Sequence, residues 1–134
     1  MAVDDLDERR EPASIDAGGI KPPPAYAIRE IAGPGRVTVV ELEGELDLAA
    51  APVLRGHVDA ANGALVLDFA STTFVDSAVL KELLRARAEL ASRGVPFVLA
   101  AVPRPVRRLL DLTRTAELFD VAADADEAVR RLSG

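Results

Sequence analysis

The chain has 134 residues, of which 49% are hydrophobic, 4% are aromatic and none is cysteine, and its formal net charge is −6. This length and composition predict one domain with an aliphatic core, and the lack of cysteine excludes disulfides, thiol catalysis and thiolate metal sites. The single histidine cannot form a histidine metal cluster, and the acidic balance predicts no general attraction to nucleic acid or anionic membranes.

Residues 1–24 form a distinct first segment. Six acidic residues outnumber three basic ones there, and Gly18-Gly19 and Pro22-Pro23-Pro24 interrupt any regular element. We expect a disordered, acidic and proline-rich leader, with the folded domain in residues 25–134. The first residues have no apolar signal-peptide core, and no apolar run has the length of a membrane span, so a cytoplasmic protein is expected.

The next residues predict an N-terminal β-hairpin. Tyr26–Ile31 and Val37–Leu42 have the composition of strands and flank the turn Gly33-Pro34-Gly35. A helix follows the hairpin. Asp47 is a candidate N-cap for it, although Pro52 offers a later start.

The rest of the chain alternates strands and helices. Ala64–Phe69 predicts a buried central strand, which leads through a loop at Ser71–Thr73 into an amphipathic helix that starts at Ser77. Two further strand–helix pairs follow, with strands at Val95–Val102 and Leu118–Val121. The order β-β-α-β-α-β-α-β-α predicts an α/β fold with a mixed sheet of four to five strands and about four helices.

Three spaced segments together resemble the STAS domain, the fold of bacterial anti-sigma-factor antagonists. They are Gly44-Glu45-Leu46-Asp47, the stretch from Val66 to Asp76-Ser77, and the stretch from Pro103 to Leu118-Phe119. The resemblance covers residues 26–132 and implies a STAS-like fold. It also implies a regulatory binding protein rather than an enzyme.

By this resemblance Ser77 is the phosphoacceptor of a serine kinase that is also an anti-sigma factor. Binding of that partner would release a sigma factor in a stress response, phosphorylation would prevent binding, and a phosphatase would restore it. ATP belongs to the kinase, so no cofactor or metal is expected in this chain. The residues assigned to partner binding are Asp47, Asp76, Ala78, Val79, Leu80 and Lys81.

The chain departs from the usual Asp-Ser-Ser-Gly-Leu-Gly loop of the family at three positions. Ala78 replaces the second serine, Val79 replaces a glycine, and Lys81 replaces a small residue. Valine adds bulk where a kinase is expected to dock. An alternative function is therefore a phosphorylation-independent adaptor in a larger regulatory assembly or a transporter complex.

Several side chains also have simpler interpretations. Ser77 or Asp76 can each serve as the N-cap of the helix, and Lys81 can be a solvated lysine rather than a contact to an anion. Arginines around the third helix can bind an acidic partner or form a charged solvated face; they are Arg104, Arg107, Arg108 and Arg114. A serine hydrolase would need a base beside Ser77, and His57 is expected to be structural.

Overall fold

The computed structural model describes residues 25–133, and the predicted leader lies outside them. Five strands form one sheet in the order β1-β2-β3-β4-β5. The elements in chain order are β1 Tyr26–Ala32, β2 Val37–Leu46, α1 Ala50–Ala60, β3 Ala64–Val75, α2 Ser77–Ser92, β4 Phe97–Ala100, α3 Arg104–Leu112, a 3₁₀ helix Ala116–Leu118, β5 Asp120–Ala122 and α4 Ala125–Ser133. This α/β order, with its five strands and four α-helices, confirms the predicted fold class.

The sheet is mixed, as predicted from the N-terminal hairpin and the later alternation of strands and helices. β1 pairs with β2 in an antiparallel hairpin, and each later pair of neighbours is parallel. Parallel neighbours need a crossover between them, which the intervening helices provide. The ends of β2 and β3 therefore meet at one end of the sheet, where α1 and α2 begin.

Helices cover both faces of the sheet. The larger core lies between the sheet and α1, α2 and α3 and includes Leu67, Phe69 and Leu83, all fully buried. A smaller core on the opposite face packs Ala128 of α4 against Val66 and Val98. Burial on both faces explains why β3 begins as a nearly continuous apolar run.

The central strand is longer than the sequence pattern indicated. We expected Ser71–Thr73 to be a loop, but β3 continues to Val75 and pairs with β2 as far as Leu46. Two irregularities in the β2–β3 register accommodate the extra residues. Thr72 is buried, and its Oγ1 donates a 2.6 Å hydrogen bond to the carbonyl oxygen of Leu42.

Gly44 makes one of these irregularities possible. Its φ is +86°, and a Cβ on this residue would overlap the carbonyl oxygen of Ala25. That carbonyl accepts a 2.8 Å hydrogen bond from the amide of Glu45. Only glycine combines this backbone conformation with such a close approach of the neighbouring chain.

Two arginines hold the end of α1 in place, Arg85 on α2 and Arg93 at the C-cap of α2. The guanidinium group of Arg93 donates to the carbonyl oxygens of Val58, Asp59 and Ala61, which lie at the end of α1. Arg85 bonds to Glu82 on its own helix and to Asp59 on α1. These hydrogen bonds raise the pKa of Arg85 above its ordinary value, and the bond to Glu82 contributes most. The C-terminal end of α1 is thereby held against α2.

Some element boundaries differ from the prediction. Helix α1 begins at Ala50 with Ala49 at the N-cap position, rather than with Asp47 as its N-cap or with a later start near Pro52. The last strand is Asp120–Ala122, because residues 116–118 form a 3₁₀ turn instead. No helix within residues 25–133 is long and apolar enough to cross a bilayer.

Candidate functional site

The candidate site lies where β3 ends and α2 begins. Asp76 is the N-cap of α2, and its Oδ1 accepts a 2.8 Å hydrogen bond from the amide of Ala78. The amide of Asp76 donates in turn to the carbonyl oxygen of Leu46 at 2.9 Å. The strand therefore passes into the helix through a single residue. The prediction that Asp76 caps this helix is confirmed.

Because Asp76 is the cap, Ser77 is not needed for that task. Ser77 is the first residue of α2 and is exposed. Its Oγ lies 3.4 Å from Oδ1 of Asp76, at the outer limit of a hydrogen bond. The hydroxyl thus faces solvent at a helix N-terminus, where the helix dipole favours negative charge.

Asp47 lies beside this junction, as the family resemblance implied. It follows Leu46, whose carbonyl oxygen is bonded to Asp76. Its own carboxylate accepts a 3.1 Å hydrogen bond from the amide of Ala49, and its carbonyl oxygen accepts from Ala50. Asp47 therefore orders the turn that leads into α1 rather than occupying the N-cap position itself.

Two residues assigned to partner binding are in the core instead. Val79 is 0% exposed and Leu80 is 7% exposed. Both belong to the face of α2 that packs on the sheet, together with Leu83 and Leu90. Their assignment as surface contacts was wrong, because the helical period turns these positions inward. Val79 adds bulk to the core and leaves the outer surface around Ser77 unchanged.

The remaining predicted contact residues are accessible. Ala78 is half-buried and Lys81 is exposed. Lys81 lies four residues after Ser77, hence on the same side of α2. It forms no salt bridge within the described part of the chain. Ser77, Ala78 and Lys81 with the carboxylates of Asp47 and Asp76 form a surface that we call the Ser77 surface.

An apolar groove beside Ser77 was not predicted. It has a volume of about 250 Å³ and runs between the end of β3 and α3, lined by Phe74, Val75, Ser77, Pro105, Arg108, Leu109 and Leu112. Phe74 is 52% exposed and Leu112 is 71% exposed. The spacing of apolar residues in α3 could have indicated this groove. Val106 and Leu110 are buried in the core. Pro105 and Leu112 are exposed, and Leu109 is half-buried at the edge of the core, so these three residues form a second apolar stripe that lines the groove.

The geometry does not join Ser77 to the histidine. The Nδ1 atom of His57 lies 2.7 Å from Oε1 of Glu30 on β1. The described neighbour of the Ser77 hydroxyl is the Asp76 carboxylate, which caps the helix. A serine–histidine couple is thus not assembled here.

The capping role of Asp76 can be tested by substitution. Asp76→Ala is expected to lower the free energy of unfolding by about 1 kcal/mol, because the amide of Ala78 loses its acceptor. Asp76→Asn keeps an acceptor oxygen and serves as the control. Urea unfolding measures both variants, and equal stabilities of the two would contradict the capping role.

Comparison with known proteins shows the family to which this chain belongs. A family model described as "Mlab, STAS domain" matches residues 30–120. The chain therefore belongs to the STAS domain family. No curated protein sequence matches the chain.

Several solved structures share the fold. An anti-sigma factor antagonist from Mycobacterium paratuberculosis is 26% identical with a TM-score of 0.73, over 86% of this chain and 100% of that chain. The anti-sigma factor antagonist SpoIIAA in its unphosphorylated form is 22% identical with a TM-score of 0.70, over 81% and 97% of the two chains. A sulfate transporter family protein from Wolinella succinogenes is 18% identical with a TM-score of 0.69, over 77% and 89%.

Proposed function

We propose that this protein is an anti-sigma factor antagonist whose binding to an anti-sigma factor is switched off by phosphorylation of Ser77. The observation that carries the proposal is the exposed Ser77 hydroxyl at the start of α2, which has no capping role because Asp76 caps the helix. Membership in the STAS family and the structural likeness to an antagonist at 26% identity support it.

The Ser77 surface suits recognition by a kinase. The hydroxyl is exposed on a rigid junction, so a kinase active site can approach it without unfolding the chain. The buried position of Val79 removes the steric objection that the sequence raised. Ala78 still replaces the second serine of the family loop, which leaves Ser77 as the acceptor in this segment.

A phosphate on Ser77 would change the charge of this surface. It would add about −1.5 to −2 charge at neutral pH. The Asp76 carboxylate lies 3.4 Å from the Ser77 hydroxyl, and like charges at this distance repel. The helix dipole would offset part of that cost. A partner that fits the unmodified surface would then meet an added charge and added bulk.

The first test is a phosphate assay on the full chain. Protein recovered from its own cells is expected to contain a fraction that is heavier by one phosphate, removable by a phosphatase and mapped to Ser77. The Ser77→Ala variant is expected to lack that fraction under all growth and stress conditions. An unmodified wild-type protein under all of these conditions would argue against the switch.

The second test measures binding to the anti-sigma kinase captured from the same cells. Ser77→Asp is expected to weaken binding at least about tenfold, which corresponds to about 1.4 kcal/mol. Ser77→Ala should bind like the wild type. Ser92→Asp adds the same charge at the other end of α2 and serves as the matched control. Equal weakening by Ser77→Asp and Ser92→Asp would contradict a local switch.

A second candidate function is an adaptor in a larger assembly or transporter complex, independent of phosphorylation. The structural likeness to a sulfate transporter family protein favours it. The adaptor would bind its partner equally well as wild type and as Ser77→Asp. Leu112→Ser in the exposed groove should weaken that binding without lowering stability, because Leu112 contributes little to the core.

A further inference from the structure

The groove between β3 and α3 is an apolar surface of unusual exposure for this domain. Phe74 and Leu112 are among the most exposed large hydrophobic residues in the described chain. Together with Pro105 and Leu109 they line one continuous depression beside Ser77. A contiguous exposed apolar surface of this kind is typical of a binding site.

The charges beside the groove indicate what kind of occupant it fits. Arg108 lines it, and Arg104 lies one turn earlier on the same side of α3. Neither arginine, nor Arg107 or Arg114, forms a salt bridge with a carboxylate of residues 25–133. Asp111 is the acidic residue of α3. An occupant with both carboxylates and apolar side chains complements this surface.

Other arginines of the described chain do form salt bridges. Several of them have a carboxylate within salt-bridge distance, namely Arg29, Arg55, Arg85, Arg93 and Arg131. The cations along α3 are thus available for a carboxylate from outside the folded domain.

The leader of this same chain has the required composition. Residues 4–16 contain six carboxylates and two arginines, hence a formal charge of −4, and they include Leu6 and Ile15. Aliphatic side chains among carboxylates match a groove with apolar walls and a basic rim.

The leader also joins the domain close to the groove. The carbonyl oxygen of Ala25 is bonded to the amide of Glu45, and Glu45 is in register with Phe74 on β3. Two strand spacings of about 4.8 Å place Ala25 roughly 10 Å from Phe74 across the sheet. Residues 17–24 can span up to about 26 Å when extended. The acidic stretch therefore reaches the groove without strain.

We propose that residues 4–16 dock into the Phe74–Leu112 groove of their own chain and cover the flank of Ser77. A tether of eight residues gives an effective concentration in the millimolar range, so a weak contact suffices. Docking itself does not depend on phosphorylation. Its regulatory consequence, competition with a partner for the Ser77 surface, rests on the proposed function.

A nitroxide label tests the docking directly. The chain has no cysteine, so Ser14→Cys in the full chain gives one labelling site. We expect the label to broaden the amide NMR signals of Phe74, Ser77 and Leu112 strongly. The signals of Gly35 and Gly63, at the opposite end of the sheet, should be unaffected. Salt at about 0.5 M should remove much of the broadening, because the Debye length falls to about 4 Å.

Two variants of the labelled chain separate charge recognition from random contact. Arg104→Gln/Arg108→Gln is expected to reduce the broadening at Leu112 at least about twofold. Arg130→Gln is the matched control, because Arg130 is exposed on α4, on the other face of the sheet, and also has no carboxylate partner among the described residues. The spread of amide signals reports that each variant is folded.

Several outcomes would overturn the docking. The first is equal broadening at both ends of the sheet, and the second is broadening that Arg104→Gln/Arg108→Gln leaves unchanged. The third is broadening of the signals of a ¹⁵N-labelled chain by a separate, nitroxide-labelled chain. That result would assign the groove to a second copy of the protein. The measurement needs no partner. Failure of the docking is therefore distinguishable from failure of the phosphorylation switch.

Discussion

Gly44→Ala is expected to lower the free energy of unfolding by about 3 kcal/mol. The loss has two sources. An alanine at φ +86° adopts a strained backbone conformation, and its Cβ would overlap the carbonyl oxygen of Ala25. Relief of that overlap would break the hydrogen bond from the Glu45 amide, which joins β1 to the end of β2. Urea unfolding followed by circular dichroism measures the effect.

Gly35→Ala is the matched control for this prediction. Gly35 also has a positive φ, of 63°, but a Cβ there would meet nothing within 4 Å. Its replacement should cost about 1 kcal/mol, the backbone strain alone. If both variants lost the same stability, the close approach of Ala25 would have no energetic importance, and the special role of Gly44 would have to be abandoned.

Val79→Gly is expected to destabilise the domain by about 3 kcal/mol, although it restores the residue usual in the family loop. Val79 is fully buried against the sheet. Removal of its side chain would leave a cavity, and glycine inside a helix costs roughly a further 1 kcal/mol. The midpoint of urea unfolding should fall accordingly. The variant should not gain affinity for a partner, because Val79 lies beneath the surface.

Ala78→Ser is the control at the neighbouring position. Ala78 is half-buried at the second residue of α2, where serine is well tolerated. This variant restores the second serine of the family loop and should change stability by less than about 0.5 kcal/mol. A Val79→Gly variant as stable as Ala78→Ser would show that residue 79 does not contribute to the core as its burial implies.

The sequence predicted the fold well, because local patterns and long-range packing agree in most of the chain. The apolar run of β3 and the amphipathic pattern of α2 are strong signals, and both elements occur where they were expected. The end of β3 was missed. Ser71, Thr72 and Thr73 are polar, and their pairing with β2 depends on irregularities of register that only a neighbouring strand specifies.

Only the part of the candidate site that depends on local sequence was predicted. Ser77 and Asp76 were found from their place at a helix start, which is a local property. Val79 and Leu80 were misassigned because the resemblance named a loop, whereas the helical period determines which side chains face outward. Phe74 and Leu112 come from elements far apart in sequence, so their groove exists only in the folded chain.

The passage from β3 to α2 through Asp76 alone has a kinetic consequence. Its backbone is fixed on both sides, by pairing with β2 and by the helix cap, so the Ser77 surface is formed before any partner arrives. Association then needs no folding step. Its rate is set by diffusion and orientation, in the range of about 10⁵–10⁷ M⁻¹s⁻¹ for such surfaces. Differences in affinity among partners will consequently arise from how long each complex lasts. Under the proposed function, phosphorylation of Ser77 is expected to act chiefly by shortening that lifetime.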